Sequence, residues 1–185
     1  MSWFEKIFSE AAWGKNPSID QKWIKWRHRN LSDNHCPECL ILDECWFLKS
    51  KTPKHPHHNF CHCVLDKISY HDVWSSSSAI CPYEKFNPYL FDPENFYKHG
   101  KNEMLESWGY TIEDAKYLQE QIQSQGLEKY INGDYKLGIL NEYGQRISIT
   151  VELPRKNHSG MISFTTGWMV KPNGQIQLNT PYGGK

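Results

Sequence analysis

Two close pairs of cysteines constrain the front of this chain more than any other feature. Cys36 and Cys39 are separated by two residues, and Cys61 and Cys63 follow about two dozen residues later with one residue between them. His58 lies just before the second pair. Thiolates from two distant loops can bind one metal ion, and that ion can fold a segment that is poor in apolar residues.

The pattern favours a structural zinc site with four thiolate ligands: Cys36, Cys39, Cys61 and Cys63. A Cys-x-x-Cys turn lets two sulfurs face one ion, whereas a Cys-x-Cys pair needs a bend in the backbone. One of three other residues can replace a weak ligand, namely His58, Cys45 or Cys81. A catalytic zinc is disfavoured because four protein ligands leave no open position. The alternatives are reduced cysteines without a metal, or a disulfide or redox pair.

Composition agrees with a front segment that needs an added source of stability. The 185 residues suffice for one domain, or for a small module and a domain of about 100 residues. Only 38% of the residues are apolar and 14% are aromatic, so a few large rings must fill the core. The net charge is zero, which points to neither nucleic acid nor a membrane. No apolar stretch suits a membrane helix and no secretory pattern is evident, so we expect synthesis in the cytoplasm, where thiols stay reduced.

The first predicted unit is a helical, Cys/His-rich zinc-binding module over residues 1–85. Apolar residues recur at helical spacing over 3–12, and a second helix is expected to begin at Asp20 and to include Trp23, Ile24 and Trp26. Prolines and a serine run argue against regular structure in residues 32–85. That stretch is expected to lack a normal core, so that the zinc ion holds it.

The second predicted unit is an α+β domain over residues 86–185. One helix is expected to begin at Asp92 and end at Gly109, and another to begin with a capping box at Thr111 and end at Gly126. Strict alternation of apolar and polar residues from Ile147 to Leu153 is typical of a half-buried antiparallel strand. Four strands are predicted, over 135–140, 147–153, 161–170 and 175–180. The expected fold class is therefore α+β, with a small, loop-rich, zinc-stapled module followed by two helices and a four-stranded antiparallel sheet.

The cysteine-rich segment resembles the end of phage minor head (head-morphogenesis) proteins. The resemblance is carried by the runs Cys36–Asp43 and His58–Leu65, with Trp46-Phe47 and Pro53 between them. In that family a Cys-x-x-Cys near an aromatic-led strand meets a His-Pro-x-Cys-Arg-Cys ending, whereas this chain has Asn59 in place of the proline and His62 in place of the arginine. The resemblance covers about residues 20–70 and lacks the long helical body of the family, so a portal-associated role does not follow.

The C-terminal half resembles an uncharacterised domain found at the toxic ends of bacterial polymorphic toxins and phage-borne effectors. The resemblance covers about residues 86–184. Its motifs lie in a helical lead-in, Lys98–Leu118, and in Tyr135–Gly138, Gly144–Arg146, Thr165–Gly174 and Leu178–Tyr182. The order of two helices and four strands is similar to the barnase, EndoU and RelE group of small ribonucleases, which is an analogy of fold and does not decide function.

A ribonuclease of this kind needs a base near neutral pH, a cation for the phosphate and a polar group that positions the 2′-hydroxyl. The candidate catalytic residues are His99, Arg146, Thr165 and Thr166. Each has an ordinary alternative role. His99 can simply end a turn, Arg146 can pair with Glu152 or a helix carboxylate, and threonine suits a strand in any case.

Three functions therefore compete. The first is a phage- or prophage-associated toxin-like effector, with the zinc module as an adaptor and the C-terminal domain as a metal-independent ribonuclease. The second is a minor virion or head-morphogenesis accessory protein without enzymatic activity, and the third is an immunity or adaptor protein. The expected partners are a phage particle or a secretion-system protein, with RNA and a cognate immunity protein for an effector, and no membrane. Virion association would then follow cytoplasmic synthesis.

Overall fold

A computed structural model of the chain describes residues 22–29, 36–92 and 101–181. These residues form two β-sheets and four α-helices, so the expected α+β class is confirmed. The predicted helix over 3–12 lies outside the described residues. None of the helices in the described ranges is long and apolar enough to cross a membrane.

The first sheet is antiparallel with the order β2–β1–β3. Its strands are β1 (Trp23–Arg27), β2 (Trp46–Leu48) and β3 (Val64–Ile68). The predicted helix through Trp23, Ile24 and Trp26 is wrong, because these residues form the central strand. All three side chains are buried. A short apolar run fits a helix or a strand, and two flanking strands satisfy the backbone groups of this one.

The cysteine-rich segment also contains more regular structure than its prolines and serines predict. Helix α1 (Pro37–Leu42) precedes β2, and helix α2 (Tyr70–Ser76) follows β3. Leu42 and Phe47 are completely buried in this segment. The expectation that the segment lacks a core is therefore wrong, since a few large side chains supply one.

Two helices lead into the second sheet. Helix α3 (Lys101–Ser107) ends before Gly109, whose φ of 88° suits the predicted helix stop. This helix was predicted to begin at Asp92, and most of its predicted first turns lie outside the described residues. The predicted capping box at Thr111 is confirmed, and the Thr111 N–H donates to Asp114 Oδ2 at 2.9 Å. Helix α4 (Ala115–Ile131) follows directly.

Helix α4 does not end at Gly126 as predicted, because it continues for another five residues to Ile131. A Cβ atom at Gly126 would lie 2.3 Å from Cζ2 of Trp168. Glycine is thus required here by the close approach of an indole ring, and not by a helix terminus.

The second sheet has five strands in the order β4–β8–β7–β6–β5. The four predicted antiparallel strands are β5 (Lys136–Asn141), β6 (Gly144–Pro154), β7 (Met161–Val170) and β8 (Gln175–Thr180). The fifth strand, β4 (Ser78–Ile80), was not predicted and pairs in parallel with β8 at the edge. Helix α4 packs against one face of this sheet, whereas Arg146 and Thr150 of β6 are exposed on the opposite face, here called the open face.

The two sheets share one continuous core of buried side chains. Between them, Tyr130 donates from its hydroxyl to the carbonyl of Trp46 at 2.8 Å, and the Leu48 N–H donates to the hydroxyl of Tyr135 at 3.0 Å. Strand β4, which precedes the predicted boundary at residue 85, belongs to the second sheet. The division into units of separate stability, 1–85 and 86–185, stays a prediction.

Candidate functional site

The first cysteine pair is arranged by helix α1. Cys36 lies at the N-cap, Pro37 takes the first helical position, and the Leu40 N–H donates to the carbonyl of Cys36 at 3.1 Å. Proline suits this position because its missing N–H would have no partner inside the helix. Cys36 and Cys39 are three residues apart on one side of this turn, so both sulfurs can face the same point.

The second pair is arranged by a tight turn ahead of strand β3. The Cys61 N–H donates to the carbonyl of His58 at 3.3 Å, and Phe60 has a φ of 63°. A non-glycine residue in the left-handed region marks a sharp change of chain direction. This turn supplies the bend that the Cys-x-Cys spacing requires.

The two pairs meet around Cys39. Its Sγ lies 3.8 Å from Sγ of Cys61 and 3.4 Å from Nε2 of His58. Two groups overlap at Cys39. Within each group the three ligand atoms lie within 4.8 Å of one another. One group is Cys36, Cys39 and His58, and the other is Cys39, Cys61 and Cys63. The structure thus brings three of the predicted ligands, Cys39, Cys61 and Cys63, into one group, and places Cys36 with Cys39 and His58 in the other. This thiol cluster, with His58 as a fifth donor, can hold a metal ion.

The imidazole of His58 is oriented toward the cluster by a hydrogen bond from its other nitrogen. Nδ1 lies 2.6 Å from the carbonyl oxygen of Asn59, and because a carbonyl only accepts, Nδ1 carries the proton. In a neutral imidazole Nε2 then carries the lone pair, and it lies 3.4 Å from Sγ of Cys39. Metal-binding histidines commonly have this arrangement, in which the second nitrogen donates to a carbonyl and fixes the tautomer.

Of the three carboxylates nearest the cluster in sequence, Glu38 alone contacts a residue next to a cluster ligand. Glu38 lies 2.5 Å from Nε2 of His57. Asp43 instead accepts from the backbone of His28, and Glu44 pairs with Lys25. The last two therefore fasten strand β1 to the end of α1.

The remaining cysteines lie apart from the cluster. All six cysteines are free, and neither metal-binding group among the described residues includes Cys45 or Cys81. The Cys45 thiol faces the carbonyl of Ile41 at 3.6 Å. Burial raises the pKa of both thiols to about 12, as expected for inert core cysteines.

Without a cation, the cluster does not favour three thiolates together. Burial raises the pKa of Cys39 far above its usual range, and the neighbouring sulfurs raise it further. Burial also raises the pKa of Cys63, although the Trp26 indole acts in the opposite direction. At Cys61 burial is outweighed by backbone hydrogen bonds, which lower the thiol pKa. A bound cation reverses this balance because it stabilises every thiolate at once.

The Trp26 side chain lies next to the cluster as an unsatisfied donor. Its indole N–H is fully buried and makes no regular hydrogen bond to another described residue. Its effect on Cys63 is to lower the pKa of that thiol. Burial outweighs this effect, so the pKa of the Cys63 thiol remains raised.

Of the residues predicted to be catalytic, Arg146 and Thr165 are brought together on the open face. Strand pairing places Arg146 opposite Met169, and Thr165 opposite Thr150. Both line a concavity of about 240 Å³. Arg146 has no ion pair or side-chain hydrogen bond with another described residue, and Glu152, six residues further along β6, is about 20 Å away.

Thr166 also borders this concavity, but its hydroxyl does not face it. Thr166 is completely buried on the inner face, where its hydroxyl donates to the carbonyl of Ile149 at 2.9 Å and accepts from the Trp168 indole at 2.8 Å. Its hydroxyl thus serves the packing of the core. His99 lies outside the described residues.

Sequence reasoning missed the features that form the concavity. Gly138 and Gly167 line it at two interruptions of the strand register, and Ser148 lies between them on the open face. An isolated glycine inside a strand pattern is the signal that predicts such a bulge.

The fold and the cluster define an α+β protein with a cysteine–histidine site able to hold a metal ion. Residues 75–185, more than half of the chain, match the family described as a domain of unknown function, DUF6883. The chain belongs to that family, whose match begins within helix α2 and takes in strand β4 and the whole second sheet. No curated protein and no solved structure shows significant similarity to it.

Proposed function

We propose that the thiol cluster binds one structural zinc ion that staples helix α1 to the turn before strand β3. The observation that carries the proposal is the spacing around Cys39. Tetrahedral zinc with Zn–S bonds of about 2.3 Å and Zn–N bonds of about 2.0–2.1 Å needs ligand separations of about 3.8 Å between sulfurs and about 3.6 Å between sulfur and nitrogen. The separations of 3.8 Å to Cys61 and 3.4 Å to His58 fit these values.

Zinc takes four of the five available donors. Cys39 belongs to both groups, so it is a ligand in every combination. Cys61 and Cys63 complete one group and precede strand β3, which makes them the next most secure ligands. The fourth position falls to Cys36 or His58, the two donors of the more exposed group. In the disulfide alternative the two pairs would be joined by a bond of about 2.05 Å, whereas Cys39 and Cys61 are 3.8 Å apart.

Elemental analysis tests the zinc proposal directly. Protein purified without chelator should contain one zinc per chain, the Cys39→Ala variant should contain none, and Cys81→Ala is the matched control because Cys81 is a buried cysteine outside the cluster. If the Cys39→Ala variant fails to fold, a second measurement on the unaltered chain still tests the proposal. Removal of zinc by a chelator should lower the unfolding temperature, and added zinc should restore it. Folded protein without zinc would contradict the proposal.

We further propose that the chain is a phage- or prophage-associated toxin-like effector, with the zinc-stapled segment as an adaptor and the DUF6883 domain as a metal-independent ribonuclease. Its support is the resemblance of both halves and the presence of Arg146 and Thr165 in the lining of one concavity on the open face. Arg146 would stabilise charge on the scissile phosphate, and the hydroxyl of Thr165 would donate to the same phosphate. The expected partners are RNA, a cognate immunity protein and a phage or secretion-system particle.

A growth test and a cleavage assay examine the ribonuclease proposal. Expression in a plain bacterial host should slow growth and degrade RNA. Arg146→Gln should relieve both effects, whereas Arg155→Gln, which removes an exposed arginine outside the concavity, should not. Purified protein should cleave RNA without added magnesium. Normal growth and intact RNA with well-folded protein would favour the alternative, a virion accessory or immunity protein without enzymatic activity, which the zero net charge also suits.

A further inference from the structure

The concavity on the open face has the features of an anion site. It extends over strands β5 to β8, and at about 240 Å³ it is smaller than the roughly 300–1,000 Å³ of sites for drug-sized ligands. It therefore suits one small group and not a whole base, sugar and phosphate.

Two irregularities in strand pairing create this hollow. The register shifts between Leu137 and Leu140 where β5 meets β6, and again at Gly167 where β7 meets β8. Such bulges are frequent next to binding sites, because they bend a strand and redirect its groups. Here one bulge lies where β5 meets β6 and the other where β7 meets β8, so the bulges flank the pair β6 and β7.

A glycine at each bulge keeps the hollow open. A Cβ atom at Gly138 would lie 3.1 Å from the carbonyl oxygen of Arg146, and one at Gly167 would lie 2.8 Å from Cγ2 of Thr180. Any larger residue would therefore push against the wall of the site. Glycine inside a strand weakens it, so its presence at both bulges indicates a requirement for space or for close approach of a ligand.

The charge of the site is determined by one residue. Arg146 is the only ionisable side chain among the described lining residues, and its guanidinium is not engaged by another described residue. Ser148 and Thr165 add hydroxyls on the same face, for which the described residues likewise provide no side-chain hydrogen-bond partner. A planar guanidinium and hydroxyls in the lining of one concavity match the oxygens of a phosphate group.

We infer that this concavity is a phosphate-binding subsite, held by Arg146 with Ser148 and Thr165, that takes one phosphodiester of a single-stranded RNA. The inference rests on the proposed ribonuclease activity for the identity of the ligand, but not for the presence of the anion site. Among the described lining residues there is no histidine or carboxylate. The subsite therefore binds and positions a phosphate, and any proton acceptor must come from a residue outside the lining.

An NMR titration with inorganic phosphate tests the subsite, at constant ionic strength maintained with chloride. The backbone amide signals of Gly138 and Gly167 should shift and reach saturation. Arg146→Gln should weaken binding at least about ten-fold, the loss expected for a charge-assisted hydrogen bond, and Arg146→Lys should recover only part of it because it lacks the guanidinium fork. Arg155→Gln is the control of equal charge and should bind phosphate as the unaltered protein does.

A short RNA tetranucleotide without terminal phosphates separates the two proposals. It should shift the same two amides and compete with inorganic phosphate. Shifts that do not saturate, or that survive Arg146→Gln, would overturn the subsite, even if the protein cleaves RNA. Binding of inorganic phosphate without any effect of the tetranucleotide would overturn the assignment to RNA. Binding of both without cleavage would uphold the subsite and refute the ribonuclease.

Discussion

Replacement of Gly126 by alanine tests the packing between helix α4 and the sheet that carries the open face. The new Cβ would lie 2.3 Å, 2.6 Å and 3.0 Å from three atoms of the Trp168 indole. That ring cannot turn away freely, because it is completely buried and its N–H donates to the hydroxyl of Thr166 at 2.8 Å. Either the helix or the indole must move.

The expected loss of stability follows from three contributions. Overpacking in a filled core costs about 1–3 kcal/mol. If the indole moves far enough to lose its buried hydrogen bond, about 1–3 kcal/mol is added. Alanine in a helix interior is more favourable than glycine by about 1 kcal/mol, which offsets part of this cost. We therefore expect Gly126→Ala to lower the free energy of unfolding by roughly 2 kcal/mol or more.

Urea denaturation measures this loss as a lower midpoint at an unchanged slope. Ser124→Ala, at a partly exposed position of the same helix, is the control and should change stability by no more than a few tenths of a kcal/mol. In a Trp168→Leu background the same glycine substitution should cost less, because the opposing ring is gone and the two sites are coupled. A Gly126→Ala protein as stable as the original chain would refute the close approach of helix and indole.

Two further predictions concern a buried hydrogen bond of Tyr130 and the ion pair of Asp114 with Lys156. Tyr130→Phe removes the only described side-chain donor to the buried carbonyl of Trp46, so it should lower the free energy of unfolding by about 1–3 kcal/mol, measured by thermal or urea denaturation; an unchanged stability would contradict it. At Asp114 burial opposes ionisation, but Lys156 and Thr111 outweigh it and lower the carboxyl pKa. The stability it supplies is thus complete above its unfolded pKa of about 3.9 and is lost as the pH falls through the lower folded pKa. Asp114→Asn should cost about 0.5–1 kcal/mol at pH 7 and little near pH 2, and a pH-independent difference would contradict this assignment.

Local pattern was sufficient to predict most of the second sheet. The alternation from Ile147 to Leu153 determines which side chains of β6 are buried, and the turn at Asn173 and Gly174 determines where β7 gives way to β8. Both signals act over a few residues, so no knowledge of distant parts of the chain is needed.

Elements that depend on distant partners were beyond the reach of local pattern. Strand β1 contains Trp23, Ile24 and Trp26 in a run too short for periodicity to separate strand from helix, and β2 and β3 on either side decide the outcome. Strand β4 is three residues long and pairs with a strand about a hundred residues later. Its serine and alanine give no local indication of that pairing.

The side of the sheet that each candidate catalytic threonine faces is predictable from the sequence. Adjacent residues of a strand face opposite sides of the sheet, so Thr165 and Thr166 cannot both face one cleft. Trp168 lies two residues after Thr166 and so faces the same side of the strand. A tryptophan in a strand is expected to face the core, which places Thr166 there as well. Thr165 is then left on the open face with Arg146, which is where the structure has it.

The thiol cluster and the open face lie on different elements, and the contacts between the two sheets connect them. Strand β2 follows helix α1 of the cluster and contacts Tyr130 and Tyr135 at the end of α4 and the start of β5. Helix α1 also packs against strand β6, which carries Arg146. Loss of zinc would therefore reach the proposed phosphate subsite through this packing and the shared core, as a loss of stability. After zinc is removed by a chelator, the molecules that remain folded should still bind phosphate at Arg146. If phosphate binding falls in proportion to the unfolded fraction, the two sheets depend on each other for stability.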